Sequence, residues 1–103
     1  MELKELIKKA KEVKEKYRKI NKKPWGVAEY TQGLVGDVGD LVKLVMAKNG
    51  FRGIEDADKK LVHELSDCLW SMLIIADELG IDLENQFMYQ MNKLKERIDQ
   101  EGK

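Results

Sequence analysis

The chain has 103 residues, 37% charged and 43% hydrophobic, enough for one domain with a modest core and too ordered in composition for a disordered or membrane-embedded segment. Lys+Arg and Asp+Glu balance at 19 each, which weighs against a general nucleic-acid binder. The single Cys68 rules out an internal disulfide and a zinc-finger site.

No segment reads as a strand, and four read as helices. The first runs from about Leu3 to Ile20: Leu3, Leu6, Ile7, Ala10, Val13, Tyr17 and Ile20 recur at steps of three and four between Lys and Glu. Its N-terminus carries no apolar signal segment, so a cytoplasmic location is expected. Asn21-Lys22-Lys23-Pro24 ends it, because proline disfavours helix in the residue before it.

The second helix is expected from about Ala28 to Lys48, with Leu34, Val38, Leu41, Val42 and Val45 as its apolar stripe and Asn49-Gly50 as its stop. Phe51 to Ala57 reads as a loop, with Asp56 or Asp58 available to cap the third helix.

That third helix, about Asp58 to Leu79, is the most apolar. Its main stripe comprises Leu61, Val62, Leu65, Cys68, Leu69, Met72, Leu73, Ile75 and Ala76, and Trp70 and Ile74 widen the belt on the other side. Such a helix is contacted on several sides, by the first helix or by another subunit. Gly80 stops it and Asp82 can cap the fourth, about Leu83 to Gln100, with Phe87, Met91, Leu94 and Ile98 inward. Short connections favour antiparallel neighbours, so the expected fold is all-α, a single helical-bundle domain over residues 1–103. The longest mostly apolar run, Cys68 to Ala76, is too short to span a bilayer.

Two acidic couples stand out: Asp37 with Asp40, and Glu64 with Asp67. Acids three apart also occur at Glu2/Glu5, Glu12/Glu15, Glu55/Asp58 and Glu96/Asp99, so spacing alone proves little. Angular position separates them: Asp37 and Glu64 fall toward the packed sides of their helices, with Asp40 and Asp67 at the border. Two facing helices would then aim four carboxylates at one place. Their repulsion would oppose folding unless a divalent cation such as Mg²⁺ met them. Gly33, Gly36 and Gly39 weaken the second helix and imply close approach by a ligand or a neighbouring backbone.

With these residues in view, the chain resembles the MazG-like all-α nucleoside triphosphate pyrophosphohydrolases, a group related to dCTP pyrophosphatases. Their pattern is E-x-x-E followed, after a loop, by E-x-x-D on the next helix. Here it reads Gly-Leu-Val-Gly-Asp-Val-Gly-Asp-Leu (33–41), then His-Glu-Leu-Ser-Asp (63–67). Ile-Ala-Asp-Glu-Leu-Gly-Ile-Asp-Leu-Glu (75–84) and Met-Asn-Lys-Leu-Lys-Glu-Arg (91–97) extend the likeness, which covers about Trp25 to Ile98. One departure matters: Asp-Asp stands where the family usually has Glu-Glu, which needs closer helices or bridging waters.

The resemblance implies Mg²⁺-dependent hydrolysis of a nucleoside triphosphate to the monophosphate and pyrophosphate, with Mn²⁺ as an alternative ion. It implies Asp37, Asp40, Glu64 and Asp67 as ligands, Glu64 or Asp37 as the base, and assembly as a homodimer or homotetramer. It also suggests phosphate contacts from Lys93 and Arg97, with Asn92 beside them, against which stands a solvated helix face. Trp25 is either a platform for a nucleobase or a lid over the helix end. His63, without a second histidine, reads as a surface or interface residue. No nucleic-acid polymer or membrane is expected as a partner. The Asp-Asp pair keeps open a non-catalytic nucleotide-binding or protein-interaction module on the same scaffold, and a hydrolase of phosphoribosyl-nucleotides would differ only in its grip on sugar and base.

Overall fold

Four helices and no strand make up the described residues (1–21, 23–50 and 53–102) of a computed structural model of the chain: α1 Leu3–Ile20, α2 Val27–Lys48, α3 Ala57–Glu78 and α4 Leu83–Glu101. The helix ends arise from local chemistry. Arg18 and Lys19 complement the dipole in the last turn of α1, and Asn21 closes it by donating its backbone N–H to the Tyr17 carbonyl. At the start of α2 the Glu29 carboxylate accepts the Gly26 backbone N–H at 3.2 Å. Gly50 (φ +83°) follows the end of α2 in the left-handed conformation that favours glycine. Gly80 (φ +68°) ends α3: Ile81 N–H reaches the Ala76 carbonyl and Gly80 N–H the Asp77 carbonyl, a Schellman closure. Asp82 accepts the Asn85 backbone N–H and caps α4. Asp56 occupies the position before α3, but in the left-handed region (φ 54°) and without a side-chain cap bond. Asp58 pairs instead with Lys48 at 2.7 Å. Of the segments read as loops, Lys22, Phe51 and Arg52 lie outside the described residues.

α2 and α3 form the principal antiparallel pair, with the end of α2 beside the start of α3. α1 packs on the C-terminal half of α3. Trp70 donates its indole N–H to the Ala10 carbonyl at 3.1 Å, while Lys14 pairs with Glu78 and Lys11 with Asp77. The core is Ala10, Tyr30, Leu73 and Ile74, with Leu3, Ile7, Trp70, Ile75 and Leu83 against it. Four rings run through it edge to face: Trp25–Tyr30 at 5.5 Å, Tyr30–Trp70 at 5.7 Å and Trp70–Tyr17 at 6.1 Å between centroids.

The inward faces differ from the expected stripes. On α3 the side bearing Trp70 and Ile74 meets α1 and the core, and Ile74 is fully buried. Val62, Leu65, Leu69 and Met72, expected inward, face outward, as do Val38, Val42 and Val45 of α2. α4 buries none of its residues, and Phe87, Met91, Leu94 and Ile98 are 39–56% exposed. Thus three helices pack together and the fourth leaves them. The radius of gyration, 16.9 Å, exceeds the roughly 13 Å of a compact chain this long. None of the described helices is long and apolar enough to cross a membrane.

Candidate functional site

The antiparallel α2–α3 contact sets the register of the acidic couples. Asp37, Asp40 and Glu64 each offer a carboxylate oxygen within 4.8 Å of the others. Asp67, one turn beyond Glu64, joins His63 and Glu64 in a second group of the same spread, so Glu64 belongs to both. The four carboxylates expected to converge therefore do so as two overlapping groups rather than one ring.

Electrostatics at this point are strained. Burial is the first cause raising the Glu64 carboxyl above its ordinary 4.5, followed by the charges of Asp37, Asp40 and Asp67. Asp37 is likewise raised above 3.8, by burial and then by Asp67 and Asp40. The neighbouring Cys68 thiol is buried and pushed up, chiefly by that burial. One oxygen of Glu64, Oε2, is buried without a hydrogen-bond partner among the described residues. A buried carboxylate oxygen with no donor, facing other carboxylates, is what a cation would satisfy. The donor set, all hard oxygen apart from His63, suits Mg²⁺ or Mn²⁺.

Two cavities flank the carboxylates. One, of about 580 Å³, lies between α1, the α1–α2 connection, α2 and α3. The four rings of Tyr17, Trp25, Tyr30 and Trp70 line it, with Arg18 at its wall, and it reaches Asp37 and Asp67. Its volume falls in the range of small-molecule sites. Trp25 is 48% exposed and packs edge to face with Tyr30. A Cβ built on Gly33 would lie 3.4 Å from the Trp25 ring, so this glycine leaves the indole room. Among the described residues Gly36 and Gly39 meet nothing within 4 Å, and what lies against Gly33 is the Trp25 side chain, not the neighbouring backbone the sequence suggested.

The other cavity, of about 430 Å³, opens on the far side of the cluster beside Asp40, Glu64 and His63 and contains Lys43, Lys59 and Lys60. These lysines escaped the sequence reading because α1 alone holds eight Lys and Arg residues, and only the fold distinguishes a lysine beside the acids. Asn92, Lys93 and Arg97 are exposed on α4, with Lys93 over the Tyr89 ring at 5.1 Å, and line neither cavity. His63, expected as a surface residue, is indeed exposed but sits 3.1 Å from Asp67. The signal for this was present in the i,i+4 spacing of His63 and Asp67 around Glu64.

A family model for the MazG nucleotide pyrophosphohydrolase domain matches residues 2–101. The Gene 37 protein of Mycobacterium phage L5 is 32% identical over 78 residues, 72% of this chain and 68% of that protein. No solved structure matches.

Proposed function

Since the chain belongs to the MazG nucleotide pyrophosphohydrolase family, we propose that it hydrolyses a nucleoside triphosphate to the monophosphate and pyrophosphate, with Mg²⁺ held by Asp37, Asp40, Glu64 and Asp67. The observation that carries the metal assignment is the buried, partnerless Glu64 Oε2 among neighbouring carboxylates. The shorter Asp-Asp pair still places its oxygens within 4.8 Å of Glu64, which favours an enzyme over a non-catalytic module.

The residues divide the work by position. In this reading the aromatic cavity takes the nucleobase, stacked on the half-exposed Trp25, which Tyr30 holds edge to face. Lys43, Lys59 and Lys60, across the carboxylates, take the outer phosphates and the departing pyrophosphate. The bond between the α- and β-phosphates then lies over the acidic cluster. Mg²⁺, when bound, supplies neutralisation of phosphate oxygens and a more acidic water. Glu64, or Asp37, accepts the proton of the attacking water, and their raised proton affinities suit either to that role. Asn92, Lys93 and Arg97 can reach such a substrate only if α4 of another copy brings them there. A homodimer or homotetramer would also cover Phe87, Met91, Leu94 and Ile98, which a lone chain leaves in water.

The test is product analysis. Purified protein with Mg²⁺ or Mn²⁺ is incubated with each ribo- and deoxyribonucleoside triphosphate, and monophosphate and pyrophosphate are measured. The expected outcome is both products in equal amounts from at least one substrate. Orthophosphate release would place the cut at another bond, and inactivity throughout would return the chain to the binding-module reading.

A further inference from the structure

We infer that His63 is a metal ligand, forming with Glu64 and Asp67 a nitrogen-containing ion position beside the one offered by Asp37, Asp40 and Glu64, and that this position takes a first-row transition ion such as Mn²⁺ in preference to Mg²⁺. The inference rests on the metal reading of the carboxylates and adds to it a ligand of different chemistry.

The geometry supplies the first reason. His63, Glu64 and Asp67 each present one ligand atom, and these lie within 4.8 Å of one another. His63 Nε2 stands 3.1 Å from Asp67 Oδ2. Adjacent ligands of an octahedral ion with bonds of about 2.1 Å are about 3.0 Å apart, so the two atoms already hold the spacing of co-ligands. Residues four apart on a helix share one face, which makes His63 and Asp67 a fixed chelating pair with Glu64 between them.

Charge supplies the second reason. Four carboxylates balance two divalent ions, and a further acid would add repulsion. A neutral imidazole adds a donor without adding charge, and it shifts preference from Mg²⁺ toward ions that accept nitrogen. Helical carboxylate sites that hold two manganese ions also combine carboxylates with histidine, there at Glu-x-x-His spacing and here with His63 four residues before Asp67. The same 3.1 Å suits a hydrogen bond between His63 and Asp67, and spectroscopy of the bound ion distinguishes a nitrogen ligand from it. The ring is 71% exposed, so an ion can reach it from solvent with little rearrangement.

His63 is the sole histidine of the chain, which makes the test unambiguous. The protein, prepared without a histidine tag and without nucleotide, is loaded with Mn²⁺ and studied by pulsed electron paramagnetic resonance. The expected result is an imidazole ¹⁴N coupling that becomes a ¹⁵N coupling on histidine labelling and disappears in His63→Gln. Titration calorimetry should show His63→Gln weakening Mn²⁺ binding by at least on the order of tenfold, the loss that removing even an outlying partner of a ligand brings. Mg²⁺ binding should change less. Bound Mn²⁺ without nitrogen coupling in the native protein overturns the inference and leaves the carboxylate site standing. Absence of Mn²⁺ uptake overturns both.

Discussion

Glu64→Gln should make the metal-free protein more stable while removing its response to metal. The Glu64 carboxyl is raised above 4.5, so the folded chain holds that proton at pH values where the unfolded chain has released it. Stability of the metal-free fold therefore falls as pH rises from 4.5 through the raised value, and the loss is complete above it. The amide carries no charge and escapes this loss. A buried acceptor without a partner costs about 1–3 kcal/mol, and glutamine retains one of the two oxygens. The expected recovery is about 1 kcal/mol, or about 4–8 °C in melting temperature for a domain near this size. With metal at a hundred times its dissociation constant, the native chain gains about 2.7 kcal/mol and the order reverses. The assay is thermal unfolding at fixed protein concentration, in chelator and in Mg²⁺, at pH 7.5 and near pH 4.5. In chelator the gap should be wide at pH 7.5 and narrow near pH 4.5. A variant that melts below the native protein in chelator at pH 7.5, or that keeps the native Mg²⁺ shift, refutes the reasoning.

Trp25→Ala should raise KM by on the order of tenfold or more, since stacking on an aromatic face contributes about 1–3 kcal/mol per base; an unchanged KM in steady-state kinetics would make Trp25 a lid. Gly36→Ala and Gly39→Ala meet open space among the described residues and should each raise stability by about 0.5–1 kcal/mol in denaturant titrations; a decrease would show that another surface lies against them. Lys14→Ala should lower stability by about 1 kcal/mol through loss of the Glu78 pair. The hydrogen bond to Glu78 is the chief cause raising Lys14 above 10.5, so its contribution is full below pH 10.5 and fades as pH rises through the higher folded value. Melting curves of native and variant protein should converge in strong alkali, and a constant gap there would contradict the assignment.

The helices could be read from the sequence because their signals are local. Pro24, Asn49-Gly50 and Gly80 stop helices by backbone chemistry alone, and the spacing within Asp37/Asp40 and Glu64/Asp67 survives any packing arrangement. The facing of α3 was not legible, because Leu65, Leu69 and Met72 are as apolar as Leu73 and Ile74. Periodicity reports that a helix has apolar sides and not which side meets its own chain. The same reason misplaced Phe87, Met91, Leu94 and Ile98, whose stripe fits a core that α4 meets only through Leu83. Asp56 shows another limit. Its type suits a cap, yet its left-handed backbone leaves the side chain without a cap bond. At the site, Lys43, Lys59 and Lys60 became meaningful only once the fold set them beside Glu64, whereas the spacing of His63 to Asp67 was already in the sequence.

The edge-to-face series of rings gives the protein a built-in optical reporter. Both indoles of the chain belong to it, and both border the cavity beside Asp37 and Asp67. A base settling on Trp25 would quench one emitter directly and disturb the other through Tyr30, so site filling can be followed by intrinsic fluorescence without attaching any dye.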